Sequence, residues 1–232
     1  MVTMPVFYLT QGHVQVPGGI SWLAESERVR AADLRFPKRR SDWLLGRWTA
    51  KRAIRAYLIQ AGMSPPGFEN LEIRSAPDGA PEAFDSGVPA PVSIALSHSA
   101  GKGFCVVGPP GQALGCDIEL IQARNPEFIE DYLTDEEQSL VTSAPSDVRP
   151  LWATLIWSAK ESALKCLREG LRRDTRTVQV QVAREHVPGW TPFTVECLDS
   201  VTRFYGWWRE EGLFVQTIAA GILAGEPLEL LL

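Results

Sequence analysis

Two short segments of different periodicity constrain this chain most, because each combines an apolar pattern with charged side chains on one face. In the first, GCDIEL, Asp117 and Glu119 are two residues apart within an apolar run. Residues i and i+2 of a β-strand point to the same face, so this segment predicts a strand with both carboxylates on one side. In the second, WSAKESALK, Glu161 and Lys165 are four residues apart in an apolar helical pattern, and a helix brings such a pair onto one face.

These four side chains are of the types that bind a hard cation together with a phosphate. Mg²⁺ prefers oxygen ligands, takes few protein carboxylates and completes its coordination with water and substrate phosphate. An isolated Asp-x-Glu pattern is also typical of an exposed strand face. That alternative is disfavoured here, because the apolar neighbours of Asp117 and Glu119 would make two unpaired carboxylates costly.

The composition is that of an ordinary globular protein, with 232 residues of which 45% are hydrophobic and 22% charged. This length fits one large domain or two small ones. The longest apolar stretch, residues 213–223, is too short to span a bilayer, and the N-terminus has no pattern of a secretory signal. The four cysteines are widely spaced, which predicts buried free thiols in a reducing cytoplasm. We therefore expect a cytoplasmic protein with no membrane partner.

The charge is distributed unevenly along the chain. The net charge of −5 is not that of a protein that binds nucleic acid over its whole surface. Residues 28–55, however, contain ten basic and two acidic side chains, a local charge of +8. Such a cluster indicates an anionic ligand or partner, and its alternative is a solvated helix face.

Hydrophobic periodicity predicts an α+β protein with mostly antiparallel sheets. The predicted strands cover residues 2–9, 70–75, 92–96, 103–107, 113–120, 178–182, 194–198, 202–208 and 214–220. The predicted helices cover residues 26–62 with a break at Pro37, a segment from the capping box at residues 134–137 to about residue 145, and residues 147–171. Residues 76–91 are rich in proline and glycine and predict a loop. The best boundary is the turn at residues 109–111, which divides the chain into residues 1–110 and 111–232, without a detectable internal repeat.

Five motifs resemble, in order and spacing, those of the 4′-phosphopantetheinyl transferases. They are WLLGRWTAK (residues 43–51), DGAP (78–81), SHS (97–99), GCDIE (115–119) and WSAKESALK (157–165). The similarity is closer to the larger, surfactin-synthetase-activating class of that family. With the basic segment before them, the motifs extend from about residue 28 to residue 170, well over half of the chain.

This resemblance implies a fold and a reaction. The fold is a pseudo-dimer of two similar α+β halves, with coenzyme A held in the cleft between them. The reaction is a Mg²⁺-dependent transfer of the 4′-phosphopantetheine arm from coenzyme A to a serine of an acyl or peptidyl carrier protein, which releases adenosine 3′,5′-bisphosphate. We expect residues 1–110 to carry the basic coenzyme A-binding helix and residues 111–232 the metal-binding carboxylates. We also expect a monomer without a nucleic-acid partner.

The resemblance further implies roles for the charged residues of the second half. Asp117 and Glu161 are the first candidate ligands of Mg²⁺, and Glu119 is a third ligand or a residue of the metal's outer coordination sphere. Glu161 is also a candidate general base toward the serine, directly or through water, with Glu119 or a bound water as alternatives. Lys165 would neutralise charge on the pyrophosphate, and its alternative is an ordinary ion pair with Glu161.

In the first half, the resemblance places coenzyme A near a histidine and several arginines. His98 would contact a phosphate of coenzyme A, with Ser97 beside it. Arg30, Arg40 and Arg47 are candidates for the 3′-phosphate and pyrophosphate, since guanidinium groups suit bidentate phosphate contacts. Arg40 and Arg47 could instead face an acidic carrier protein.

Two further segments bear on ligand and partner binding. Many members of the family carry a basic residue after the turn glycine, where this chain has Gly79-Ala80-Pro81. That phosphate contact is therefore lost or supplied by the arginines, and the backbone amides of residues 78–80 remain candidates for nucleotide contact. Residues 121–134 are the expected docking segment for a carrier protein, although their apolar residues Phe128, Ile129 and Leu133 are equally typical of a core.

Two other functions compete with this interpretation. One is a different Mg²⁺-dependent phosphotransferase or nucleotide hydrolase, although the chain has neither a Walker GxxxxGK[ST] motif nor the HRD and DFG motifs of kinases. The other is a nucleic-acid-binding module built on residues 28–55, which leaves GCDIE and WSAKES unexplained and predicts a steep salt dependence of binding.

Overall fold

A computed structural model describes residues 5–183, 188–222 and 225–232, so residues 2–4 of the first predicted strand lie outside it. The chain divides into two compact units. We call residues 5–112 with 227–232 the N-terminal unit, and the described residues between 113 and 226 the C-terminal unit. None of the helices in the described segments combines the length and the apolar character needed to cross a bilayer.

The N-terminal unit is a helix packed on an antiparallel sheet, with a smaller sheet beside it. Its helices are α1 (Glu25–Asp33) and α2 (Pro37–Gln60). Its strands are β1 (Phe7–Gly12), β2 (Leu71–Ser75), β3 (Pro81–Asp85), β4 (Val88–Pro89), β5 (Ser93–Ser99), β6 (Lys102–Gly108) and β12 (Leu228–Glu229). The strand orders are β12-β1-β6-β5 and β2-β3-β4, and α2 packs against β1, β5 and β6.

The C-terminal unit has one five-stranded antiparallel sheet, in the order β7-β11-β10-β9-β8. Its strands are β7 (Leu114–Leu120), β8 (Val178–Val182), β9 (Thr191–Cys197), β10 (Arg203–Glu211) and β11 (Phe214–Ala220). Its helices are α3 (Pro126–Tyr132), α4 (Asp135–Ser143) and α5 (Arg149–Cys166). The helix α5 lies across β7 and β11 and is buried along most of its length. The predicted α+β class with mostly antiparallel sheets is confirmed.

Three predictions of local structure differ from the fold. The segment 76–91, predicted as a loop, contains β3 and β4, because β3 pairs with β2 along its whole length. The last helix ends at Cys166 rather than residue 171, since Arg168 adopts a left-handed conformation with φ 58° that stops the helix. The strand β12, which was not predicted, pairs in parallel with β1, so residues 227–232 pack with the N-terminal unit rather than with the half that precedes them in sequence.

A buried Glu–Lys pair organises the C-terminal unit. Glu137, in the first turn of α4, accepts a hydrogen bond from the amide of Thr134 (2.8 Å) with one carboxylate oxygen and from the amide of Val180 (2.7 Å) with the other. Lys160 of α5 lies 2.8 Å from the Glu137 carboxylate. It also donates to the carbonyls of Thr175 (2.8 Å) and Val178 (2.6 Å). Both side chains are buried, and together they join a helix start, a long helix and a strand.

The N-terminal unit contains the same arrangement. Glu27 of α1 accepts from the amides of Ala24 and Ile73, both at 3.0 Å, and forms an ion pair with Lys51 of α2. Lys51 also donates to the carbonyls of Trp22 (3.1 Å) and Phe68 (2.8 Å). In both units, therefore, a glutamate closes its own helix start, bonds a strand amide and pairs with a buried lysine of the long helix.

This shared network identifies the two units as similar halves, as the sequence predicted. It also reveals a short repeat that the sequence analysis did not detect. The lysines end the tetrapeptides WTAK (residues 48–51) and WSAK (residues 157–160), which occupy corresponding turns of α2 and α5. The four cysteines are free and buried, which confirms the predicted state of the thiols.

We expect the Lys160→Met substitution to lower the free energy of unfolding by about 3–5 kcal/mol, since it leaves the buried Glu137 carboxylate without its counter-charge. Lys51→Met should have an effect of similar size in the other unit. Arg176→Ala is the control, because it removes an ion pair with Asp174 that is exposed, and it should leave stability unchanged. Urea unfolding measures all three variants. A Lys160→Met protein as stable as the Arg176→Ala protein would contradict the role assigned to the pair.

Candidate functional site

The strand β7 and the helix α5 approach each other unusually closely at Gly115. A Cβ atom added to Gly115 would lie 1.8 Å from the carbonyl oxygen of Ser162 and 3.1 Å from the amide nitrogen of Cys166. Only glycine fits this contact, because any side chain would have to displace backbone atoms of the helix. The contact brings Asp117, two residues along the strand, against the side chains of α5.

Asp117 is almost fully buried, with 4% of its surface exposed, and α5 holds both of its oxygens. Its Oδ1 lies 2.9 Å from Nζ of Lys165, and its Oδ2 accepts a hydrogen bond from the hydroxyl of Ser158 (2.8 Å). Lys165 also donates to the carbonyl of Cys116 (2.8 Å). The ion pair of Lys165 is therefore with Asp117 across the strand–helix contact, rather than with Glu161 along the helix.

The charge state of Lys165 follows from this pairing. Burial alone would lower the pKa of the Lys165 ammonium, but the carboxylate of Asp117, together with that of Glu161, raises that pKa above its ordinary value. An ammonium group has three donors, and the contacts within the described chain use two of them. Lys165 thus combines a stable positive charge with a donor that can serve a ligand.

Glu161 is half-buried beside this pair. Burial raises the pKa of the Glu161 carboxyl, Lys165 lowers it, and the negative charges of Asp117 and Glu119 raise it further, with a net rise above the ordinary value. Asp117 and Glu119 are therefore close enough to Glu161 to repel its carboxylate electrostatically. A cation among them would relieve that repulsion.

Glu119 has a counter-charge that the sequence analysis missed. Nη2 of Arg124 lies 3.5 Å from Oε2 of Glu119, and the Arg124 guanidinium stacks over the ring of Phe128 with 4.8 Å to its centroid. A sequence signal was present, since Arg124 is the only basic residue between Lys102 and Arg149. The two carboxylates of β7 are thus each paired with a basic side chain.

The carboxylates suit a hard cation in donor type and in charge. Asp117, Glu119 and Glu161 would hold it, on β7 and α5 of one unit. Across the described ranges, however, no group of three or more histidine, cysteine, aspartate or glutamate side chains is already assembled around a common point. The pairings of Asp117 with Lys165 and of Glu119 with Arg124 account for this, because each holds a carboxylate on a protein cation.

The residues predicted to bind coenzyme A phosphates belong to the N-terminal unit. Ser97 and His98 lie near the end of β5, half-buried and exposed respectively, before a turn in which Ala100 and Gly101 have positive φ angles of 44° and 80°. These small residues leave the exposed imidazole accessible from the turn. Their contact with a ligand stays a prediction.

The three predicted arginines differ in how they are held. Nε of Arg40 donates to the carbonyl of Ala31 (3.1 Å). Arg47 stacks over the ring of Trp43 and lies 3.7 Å from Glu27, and burial, partly offset by Glu27, lowers the pKa of its guanidinium. Arg30 lowers that pKa as well, which indicates that the two guanidinium groups are neighbours. Arg30 is exposed, so it is the most accessible of the three.

Two backbone amides of the turn at Gly79 donate hydrogen bonds to acceptors within the same turn. The amide of Gly79 donates to the carbonyl of Ala76 (2.8 Å), and the amide of Ala80 donates to the carboxylate of Asp78 (3.0 Å). The amides of Gly79 and Ala80 are therefore occupied, and the structure does not favour the predicted backbone contact with a nucleotide there.

The expected docking segment divides between the core and an aromatic cluster. Leu133 is fully buried, so the core interpretation is correct for this residue. Phe128 and Tyr132 contact Trp157 with ring centroids 5.0 Å and 5.1 Å away, in edge-to-face geometry. Because Trp157 begins the WSAKES segment, this cluster links α3 to the part of α5 that carries Glu161.

Comparison with known proteins finds a family match within the C-terminal unit. Residues 113–207, which include β7 and α5, match the family model described as the 4′-phosphopantetheinyl transferase superfamily. This match supports the resemblance of the motifs at the superfamily level. The finer assignment to the surfactin-synthetase-activating class stays a prediction.

Two curated relatives extend the similarity beyond this segment. The enterobactin synthase component D of Salmonella typhi is 30% identical over 149 residues, or 64% of this chain and 55% of the relative. The protein of the same name from Salmonella austin is 28% identical over 148 residues, with the same coverage of both chains. The chain thus spans about half the length of the curated relatives that it matches.

Solved structures give weaker similarities. A holo-(acyl-carrier-protein) synthase from Bacillus anthracis, in complex with coenzyme A (3′,5′-ADP), is 20% identical with a TM-score of 0.38, over 46% of this chain and 96% of the other. A holo-[acyl-carrier-protein] synthase from Thermotoga maritima is 18% identical with a TM-score of 0.37, over 57% of this chain and 76% of the other. TM-scores this low carry no argument about the present chain.

The raised pKa of Glu161 has a measurable effect on stability. A carboxyl whose pKa is higher in the folded than in the unfolded protein still binds its proton in the folded state at a pH where the unfolded chain has released it. Stability therefore falls as the pH rises from the unfolded pKa through the folded pKa. We expect Glu161→Gln, in EDTA, to be more stable than the wild type at neutral pH, and the difference to vanish below the unfolded pKa.

Urea unfolding across this pH range tests the expectation. Glu130→Gln, on the exposed side of α3, is the control and should follow the wild type at every pH. A Glu161→Gln protein that is less stable than the wild type at neutral pH, without divalent cations, would show that the carboxylate is not repelled by its neighbours.

Proposed function

We propose that this chain is a Mg²⁺-dependent 4′-phosphopantetheinyl transferase. It transfers the 4′-phosphopantetheine arm of coenzyme A to a serine of an acyl or peptidyl carrier protein and releases adenosine 3′,5′-bisphosphate. The observation that carries the proposal is the meeting of Asp117, Glu161 and Lys165 at the contact of β7 with α5, inside the segment that matches the superfamily. Cytoplasmic location and a monomeric state stay predictions.

The reaction needs a base beside the attacking serine and a cation beside the departing phosphate of the phosphoanhydride bond that breaks. The serine hydroxyl attacks the β-phosphorus of coenzyme A, its proton passes to a base, and the bond from that phosphorus to the nucleotide's bridging oxygen breaks. Glu161 is assigned to accept the proton, directly or through water, because burial raises its pKa in the metal-free site. A carboxylate bound to Mg²⁺ is a poorer base, so Glu119 or a bound water is the alternative acceptor where Glu161 holds the metal. Lys165 stabilises the negative charge that develops on the departing phosphate.

Three carboxylates on this unit would hold the metal: Asp117, Glu119 and Glu161. Mg²⁺, when bound there, would neutralise the pyrophosphate and orient its oxygens for in-line attack. In the N-terminal unit, His98 with Ser97 and the neighbouring Arg30 and Arg47 are assigned to the phosphates of coenzyme A. Arg40 is assigned to the same phosphates, and its Nε is held by the carbonyl of Ala31 in α1.

Intact-protein mass spectrometry tests the proposal directly. An apo carrier protein is incubated with this protein, coenzyme A and Mg²⁺, beside a reaction in EDTA and one with Glu161→Ala. We expect the carrier to gain the mass of one phosphopantetheine arm with the wild type and Mg²⁺, and to stay unmodified in both controls. Release of nucleotide without a carrier would instead support a nucleotide hydrolase. If several carriers stay unmodified, titration of coenzyme A decides, because failure to bind it would contradict the transferase.

The Lys165→Met substitution removes the ammonium group and keeps a side chain of similar length that favours a helix. We expect kcat to fall roughly 10²–10³-fold, since a donor aimed at charge that develops in the transition state is lost. Initial rates of holo-carrier formation at saturating coenzyme A measure the effect. The exposed Lys102→Met is the matched control and should keep the wild-type rate. A loss of less than tenfold in a folded Lys165→Met protein would mean that the ammonium only neutralises Asp117 at rest.

A further inference from the structure

We propose that Ser158 is a positioning residue for the metal site. Its hydroxyl, ordered by Thr217 and Ser162, holds the Asp117 carboxylate in the orientation from which it binds the cation. The inference rests on the proposed function in so far as Asp117 is a metal ligand. It adds a residue that the motif comparison assigned to no role, although it lies inside WSAKES.

The contacts form a continuous buried chain that ends on the carboxylate. Thr217 of β11 lies directly opposite Asp117 of β7 in the strand ladder. The hydroxyls of Ser162 and Thr217 are 2.7 Å apart, and those of Thr217 and Ser158 are 2.9 Å apart. The Ser158 hydroxyl then donates to Oδ2 of Asp117 at 2.8 Å. Ser158, Ser162 and Thr217 have no exposed surface, so bulk water does not compete for these bonds.

The carboxylate fixes the direction of the last bond in this chain. An ionised carboxylate only accepts, so the single proton of Ser158 points to Asp117. The oxygen of Ser158 can then accept from Thr217, and the oxygen of Thr217 can accept from Ser162. The carbonyl of Ser158 is a second acceptor for Thr217 (2.9 Å), and the carbonyl of Thr217 is a second acceptor for Ser162 (3.3 Å). Hydroxyl chains that end on a charge strengthen one another in a buried setting. Ser158 therefore restrains Oδ2 from one side, while Lys165 contacts Oδ1.

The corresponding position of the N-terminal unit shows that a hydroxyl at this place in the helix has an alternative acceptor, a backbone carbonyl. Thr49, in WTAK, occupies the place that Ser158 has in WSAK, and its hydroxyl donates to the carbonyl of Leu45 (2.8 Å), four residues earlier in the same helix. That bond is the usual one for a buried hydroxyl within a helix. In the C-terminal unit the hydroxyl is directed to Asp117 instead, so its orientation follows the carboxylate and not the helix.

The same helix offers a matched control. Thr154 lies one turn before Ser158, is also fully buried, and has a hydroxyl that finds no hydrogen-bond partner in the described part of the structure. Thr154→Val therefore removes a buried hydroxyl from α5 without touching the carboxylate. Ser158→Thr is the conservative variant, because it keeps the hydroxyl at the position in question.

The primary readout is calorimetric binding of Mg²⁺, and of Mn²⁺ as a second probe, to the protein without coenzyme A or carrier. We expect Ser158→Ala to weaken binding about 10–100-fold, the range for groups that orient a metal ligand. Thr154→Val should bind as the wild type does, and Ser158→Thr should recover most of the affinity. In the transfer assay, Ser158→Ala should raise the Mg²⁺ concentration at half-maximal rate more than it lowers kcat at saturating Mg²⁺.

Urea unfolding is measured for each variant, and if Ser158→Ala does not fold, the isosteric Thr217→Val takes its place with the same expected direction. Wild-type affinity in folded Ser158→Ala would overturn the inference. So would equal weakening in Thr154→Val, or a wild type that binds neither cation. Selective weakening in Ser158→Ala supports it even if no carrier protein is modified, in which case the transferase assignment alone fails.

Discussion

The close contact of β7 with α5 at Gly115 is the constraint on which the rest of the site depends. A strand and a helix normally keep a layer of side chains between them, and here that layer is absent for one residue. The missing Cβ lets the short side chain of Asp117 reach both Ser158 and Lys165, which lie two turns apart on α5. A longer separation would require longer side chains, which would be less well ordered. The contacts of the buried Asp117 carboxylate with α5 thus depend on the absence of a side chain at Gly115, two residues earlier in the strand.

Charge compensation explains how so many ionised groups coexist in an apolar setting. Buried carboxylates are costly unless they are paired and hydrogen-bonded, and Asp117 and Glu119 have Lys165 and Arg124 as counter-ions. Glu161 has the weakest compensation of the three, and burial, with a smaller contribution from Asp117 and Glu119, raises its pKa in spite of Lys165. The site therefore retains an electrostatic preference for one more positive charge.

The sequence predicted the local parts of this site, and long-range packing decided the remainder. Period-two and helical patterns predicted β7 and α5, because each depends on neighbours within a few residues. The partner of Lys165 could not be found in this way, since helical spacing points to Glu161 and the observed pair joins residues 48 positions apart. The strands β3 and β12 were not predicted for a related reason. The segment of β3 is rich in turn residues and β12 is very short, so each becomes a strand only through hydrogen bonds to its neighbour, β2 or β1. Arg124 had a usable signal in the charge pattern, but nothing local connects it with Glu119.

The repeated Glu–Lys network is a structural feature of both units, and it is distinct from the acidic candidate site, which only the C-terminal unit has. Lys51 and Lys160 each give all three ammonium donors to protein acceptors, which is the condition for burying such a group without exposure. If the two tetrapeptides are superposed, Glu161 and Lys165 correspond to Arg52 and Ala56, so the N-terminal unit repeats the framework but not the acidic site.

The two lysines of the Glu–Lys network, Lys51 and Lys160, have no donor left for a ligand, whereas Lys165 has one. The difference between these buried lysines is therefore one of unsatisfied hydrogen-bonding capacity rather than of charge. Lys165 remains partly open, with 28% of its side chain exposed, so a ligand can reach this side chain. The two framework lysines are thus fully bonded, whereas the lysine of the candidate site keeps one donor that the described contacts do not use.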